Sequence, residues 1–149
     1  MKSLLVDSTP KTPQIDLNHC TGELIISGKS IPENSATLYL QVLNWVDEYI
    51  KSPRHTTNLR LNLEYFNTSS SIWIGKIVRA LCSINDTANT LFIHLYFDIE
   101  EFETMDIEDL KDALNPFIGL IGTPTLSLGI KIYGTDENGE VLKESIIFV

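Results

Sequence analysis

The run Leu59-Arg60-Leu61-Asn62-Leu63 alternates apolar and polar side chains with period two, whereas Ile72, Trp73, Ile74, Ile77, Val78 and Leu81 recur at helical spacing. The pattern predicts a strand over 59–65, a helix from about 70 to 83, and a polar turn between them. Upstream, Thr9-Pro10-Lys11-Thr12-Pro13 makes a stiff, non-helical lead-in over residues 1–13, after which the first strand should begin. Gln14 to Leu17 and Glu23 to Ser27 then flank the turn-rich Asn18-His19-Cys20-Thr21-Gly22, as in a hairpin. Pro32 is expected to open a helix that gathers Leu38, Val42, Trp45, Val46, Tyr49 and Ile50, and Ser52-Pro53 to end it. Leu91 to Phe97 is apolar on both faces and reads as a central strand. Asp106 to Leu114 reads as a short third helix with acids in its first turn and Asn115-Pro116 at its stop. Thr125 to Tyr133 alternates again, and Asp136-Glu137-Asn138-Gly139 turns the chain into Glu140 to Val149 as a C-terminal hairpin.

These elements define an α/β (α+β) fold, a single domain over 14–149 in which a mixed β-sheet carries about three helices on one face and ends in the 125–149 hairpin. At 149 residues and 43% hydrophobic, the chain is long enough for one core of useful size. A formal charge of −9, from 20 acidic and 11 basic residues, disfavours nucleic acid and anionic lipid and favours protein partners with basic surfaces. The apolar run at the start is too short for a secretory signal and no segment approaches bilayer-spanning length, which places the expected protein in the cytoplasm. Cys20 and Cys82 stand far apart without a CxxC pairing, as reduced thiols do, and no metal site is expected.

The chemistry concentrates in Glu64-Tyr65-Phe66-Asn67-Thr68-Ser69-Ser70-Ser71, where four consecutive hydroxyls sit at a strand-to-helix turn. A Ser/Thr cluster there is ordinarily a helix cap, and Asn67, Thr68 and Ser69 are each able to supply it. Tyr65 and Phe66 either fill the core at the strand end or anchor an interface. Glu100, Glu101 and Glu103 read as a solvated loop. His19, His55 and His94 are scattered, His94 within a strand, and no Gly-x-Ser-x-Gly elbow or glycine-rich phosphate loop is present, so no cofactor is expected. Cys82 falls in the apolar helical pattern and suits packing.

The octapeptide resembles the signature of the SiaC family of bacterial regulatory phosphoproteins, a Glu-Tyr-Phe-Asn-Thr-Ser-Ser segment with a phosphorylated threonine. A second block, Ile25 to Asn34, is similar to the family's strand followed by Ser-Gly-x-Ser-x-Pro-Glu-Asn and contributes Ser27, Gly28, Pro32, Glu33 and Asn34. A third, Tyr96-Phe97-Asp98 with the acids through Glu103, resembles it more weakly. The resemblance covers roughly residues 10 to 118 and leaves the C-terminal hairpin without a counterpart. It implies that Thr68 is the phosphoacceptor and that Glu64, Tyr65, Phe66, Asn67, Ser69 and Ser70 form the phosphosite loop and partner contact. It further implies a partner-switching circuit. A Ser/Thr protein kinase modifies the threonine, a PP2C-type phosphatase restores it, and the unmodified form binds and activates a diguanylate cyclase in c-di-GMP and biofilm control. The chain would then be a messenger and not an enzyme. The element order also resembles the STAS domain of anti-sigma-factor antagonists, which gives one alternative; a small serine hydrolase acting through Ser69, Ser70 or Ser71 is another.

Overall fold

The computed structural model describes residues 1–104, 106, 108 and 124–148. Seven strands form one mixed sheet in sequential order: β1 (Leu4–Val6), β2 (Gln14–Asn18), β3 (Glu23–Ser30), β4 (Thr56–Phe66), β5 (Thr90–Asp98), β6 (Ser127–Thr135) and β7 (Val141–Phe148). β1, β2 and β3 pair antiparallel, β3 to β6 pair parallel, and β7 returns antiparallel on β6. The crossover from β3 to β4 carries α1 (Ser35–Tyr49) and that from β4 to β5 carries α2 (Thr68–Cys82). A short α3 (Ile99–Thr104) leaves the end of β5.

Alternation along the strands sends Leu24, Ile26, Leu59, Leu61, Leu91, Ile93, Ile130 and Ile132 into one core. There they meet Tyr39, Val42 and Val46 of α1 and Ile74, Ile77, Val78 and Leu81 of α2. Phe102 of α3 packs on the same core, and a Cβ on Gly134, which shares the face of Ile130 and Ile132, would lie 2.7 Å from Ile99 and 2.9 Å from Phe102. The three helices among the described residues therefore cover one face of the sheet, although α3 is not the third helix expected over 106–114, and β5 lies inside it with β4 and β6 on either side.

The other face carries polar side chains that pair with one another. Arg60 donates to Glu23 at 2.8 Å and to the Tyr96 hydroxyl at 2.8 Å. His94 is buried between Asn58 (2.7 Å) and the Tyr133 hydroxyl (2.8 Å). Burial, with Arg60 and then Lys131 nearby, lowers its pKa to about 4, so a neutral ring donates from Nε2 to Asn58 and accepts at Nδ1 from Tyr133. Cys82 is buried and its thiol is pushed up to about 11, in keeping with packing.

Three local expectations are corrected. The first strand precedes the two prolines: Leu4–Val6 pairs with Ile15–Leu17 as an edge strand, and the Lys2 carbonyl accepts from Trp45 Nε1 at 2.7 Å, fastening the lead-in to α1. Pro32 does not open α1; the chain turns helical at Ser35 behind an Asn34 cap. Glu100, Glu101 and Glu103 lie on α3 rather than in a loop, with Asp98 Oδ1 accepting from the Glu100 amide at 2.8 Å at its start. The helix expected over 106–114 lies largely outside the described residues.

Candidate functional site

Parallel strands deliver the two sequence blocks to one end of the sheet. β3 ends at Ser30 opposite Phe66 of β4, and the Asn67 amide donates to the Ser30 carbonyl at 3.0 Å. Both following helices thus start side by side. Asn34 caps α1 by accepting from the Thr37 amide (3.3 Å), and Asn67 caps α2 by accepting from the Ser70 amide (2.9 Å). Of the three capping candidates, Asn67 takes the role. Pro32 is buried, while Glu33 forms an exposed ion pair with Lys11 at 3.3 Å, worth little by itself.

Gly28 sits at a register shift. Its φ of 110° belongs to the region that favours glycine, and between the pairs Gly28↔Leu63 and Lys29↔Tyr65 the residue Glu64 is left over as a bulge in β4. Ser27 pairs with Asn62 just before it. Tyr65 and Phe66, past the bulge, are 66% and 46% exposed, so neither fills the core at the strand end. Lys29 lies 6.0 Å from the Tyr65 ring centroid.

The four hydroxyls differ sharply in environment. Ser70 is 0% exposed, and its Oγ donates to the Ser30 carbonyl at 3.0 Å while accepting from Ser30 Oγ at 2.8 Å. Ser30 Oγ also meets the buried Tyr39 hydroxyl at 2.5 Å, and burial raises the Tyr39 pKa. Ser69 shares a hydrogen bond with Ser35 and donates to Asn67 Oδ1 at 3.2 Å. Ser71 is half-buried and donates to the Thr68 carbonyl at 2.7 Å. Thr68, the first residue of α2, is exposed, and its hydroxyl has no hydrogen-bond partner among the described residues. One turn further on the same helix face, Ile72 is 56% exposed. Lys76 lies over the Trp73 ring at 4.3 Å and Arg79 stands in the last turn of α2, so neither cation belongs to the first turn.

No histidine borders this cluster. His94 is engaged on the helix-free face, and His19 and His55 sit at or before the opposite, amino-terminal ends of β3 and β4. A hydrolytic reading of Ser69–Ser71 therefore has no histidine base beside it. Among the described residues no group of His, Cys, Asp and Glu could hold a metal ion, and no helix is long and apolar enough to cross a membrane. Sequence reasoning missed Ser35 and the Ser30–Tyr39–Ser70 contacts, which join residues up to 40 positions apart; Ser30, inside the second block, and Ser70, inside the octapeptide, carried a signal, and Tyr39 and Ser35 did not.

The polar strand-to-helix turn thus exposes one threonine hydroxyl whose serine neighbours are hydrogen-bonded. The model of the SiaC family regulatory phosphoprotein matches residues 6–118, and the chain belongs to that family. Its fold is similar to the crystal structure of apo-SiaC from Pseudomonas aeruginosa, with a TM-score of 0.66 and 25% identity over 86% of this chain and 98% of that one. A second similar structure is the P. aeruginosa diguanylate cyclase SiaD in complex with its activator SiaC, with a TM-score of 0.66 and 26% identity over 84% of this chain and 97% of that one. An uncharacterised P. aeruginosa protein is 39% identical over 70 residues, which span 47% of this chain and 56% of that relative, a little over half its length.

Proposed function

We propose that the protein is the non-enzymatic messenger of a partner-switching circuit: unmodified, it binds and activates a diguanylate cyclase, and phosphorylation of Thr68 releases that effector. A Ser/Thr kinase adds the phosphate and a PP2C-type phosphatase removes it, in the cytoplasm. The observation that carries the reading is the contrast among the four hydroxyls, because Thr68 is exposed and its hydroxyl has no hydrogen-bond partner among the described residues. The likeness to SiaC, described as the activator of SiaD, supplies the class of effector.

Phosphate at Thr68 would add about −1.5 to −2 charges at the amino end of α2, where backbone amides and the helix dipole favour an anion. The fold accommodates this change. A partner packed over Phe66 and Ile72 does not, since it would have to bury a hydrated dianion beside apolar surface. A penalty of roughly 3 kcal/mol weakens binding about a hundredfold. The test measures c-di-GMP synthesis by a diguanylate cyclase recovered with the protein from its host. Wild type and Thr68→Ala should stimulate it and Thr68→Asp should stimulate less; equal stimulation by all three sinks the reading.

A further inference from the structure

β4 remains paired with β3 as far as Phe66, yet its pairing with β5 stops at Leu61↔Leu95, while β5 continues along β6 to Asp98↔Thr135. The sheet therefore forks at its carboxyl end. The bulge at Glu64 accounts for the divergence, because an extra residue bends a strand and increases its twist, carrying the end of β4 away from β5. Between the two prongs lies a groove of about 910 Å³, bounded by Leu61–Phe66, Leu95–Asp98, Glu101 of α3 and the turn at 135–139.

Two properties narrow what fits. Among the described residues no ladder bond crosses the fork beyond Leu61↔Leu95, so the β4 edge from Asn62 to Tyr65 faces open space that matches an added strand; four residues of strand span about 13 Å. The lining is also one-signed, with Glu64, Asp98, Glu101, Asp136 and Glu137 and no Lys or Arg among its described residues. Asp98 and Asp136 already accept from backbone amides of Glu100, Asn138 and Glu140. Glu64, Glu101 and Glu137 are exposed, and their carboxylates have no partner among the described residues. Tyr96 and Phe97 add ring surface of the kind on which a guanidinium stacks.

We propose that this forked groove docks an extended, basic segment of a partner protein, which runs along β4 and sets Arg or Lys side chains against Glu64, Glu101 and Glu137. The groove adjoins the Thr68 surface and shares Phe66 with it, but its acidic side chains lie on the β5 side of β4 and their pairing requires no phosphorylation.

The test uses the unmodified full chain, isotope-labelled for NMR, with a fluorescein-labelled peptide of about seven residues alternating arginine and valine. The expected result is saturable binding with shift changes on Asn62–Phe66 and Leu95–Asp98. Combining Glu64→Gln, Glu101→Gln and Glu137→Gln should weaken binding by about tenfold, as should raised salt. A peptide with glutamate in place of arginine should not bind. Glu101→Lys, a single exposed change, should weaken the arginine peptide and strengthen the glutamate one, which keeps the test sharp should the triple variant lose its fold. Absence of saturable binding, shift changes elsewhere, or undiminished affinity in these variants overturns the proposal. So does sedimentation showing that the groove is filled by a second copy of the chain.

Discussion

Ser30→Ala should loosen the amino end of α2 even though Ser30 lies on another element. Its Oγ meets the Tyr39 hydroxyl at 2.5 Å and Ser70 Oγ at 2.8 Å, and all three residues are buried. Deleting it leaves the Tyr39 hydroxyl without that partner in a site closed to water, whereas Ser70 keeps the Ser30 carbonyl at 3.0 Å. Losing this buried hydrogen bond, with Ser70 still within reach of the Tyr39 hydroxyl, costs about 1–2 kcal/mol, and for a chain of this size about 2 kcal/mol lowers Tm by about 4–8 °C. Removing both partners should cost less than the sum, because an apolar pair has no unsatisfied group. Ser30→Ala combined with Tyr39→Phe is thus expected to recover roughly 1 kcal/mol relative to additivity. Urea melts of the four proteins of the cycle supply the numbers, and amide exchange at Ser70 reports whether the loss reaches the phosphosite turn. Strict additivity, or a loss below about 0.5 kcal/mol for Ser30→Ala, would refute the latch.

Asn67→Ala removes the cap of α2 and should cost about 1 kcal/mol, or roughly 2–4 °C in Tm by calorimetry. Phe66→Ala and Ile72→Ala each remove an exposed apolar side chain beside Thr68, so effector affinity should fall about tenfold in titration calorimetry with little change in Tm. The His94 pKa of about 4 lies below its ordinary value near 6.5, so this residue's contribution to stability is intact above 6.5 and is lost as pH falls through 4. The loss is on the order of 3 kcal/mol, set by burial and then by Arg60 and Lys131, and urea melts between pH about 7 and 4 should show a shallower slope for His94→Asn. An unchanged slope in that variant contradicts the assignment of a buried, neutral ring.

The strand-to-helix junction was legible because the apolar period changes from 2 to 3.6 across Asn67, and the C-terminal hairpin because Leu128, Ile130 and Ile132 alternate before a strong turn. β1 was not, since three residues ahead of two prolines carry no periodicity and pair only because β2 offers an edge. α3 was hidden by its brevity and by acids that suit a loop equally well. At the site, the run of hydroxyls was visible but their differences were not. Ser70 is buried and Ser69 engaged because Ser30, Tyr39 and Ser35 are brought over them by the β3–β4 pairing and the close approach of α1. The fork has the same character, because a bulge at Glu64 is a relation between strands and leaves no mark in the alternation of one.

Peptide mass spectrometry of protein purified from its host, with and without phosphatase treatment, tests whether Thr68 alone among the clustered hydroxyls is the switch. The tryptic peptide from Leu61 to Lys76 holds all four candidates. The expected result is a phosphatase-sensitive phosphate that fragment ions place on Thr68, with Ser70 unmodified. Phosphate on Ser69, Ser70 or Ser71 with Thr68 bare, or a peptide that stays unmodified across growth conditions, would contradict it.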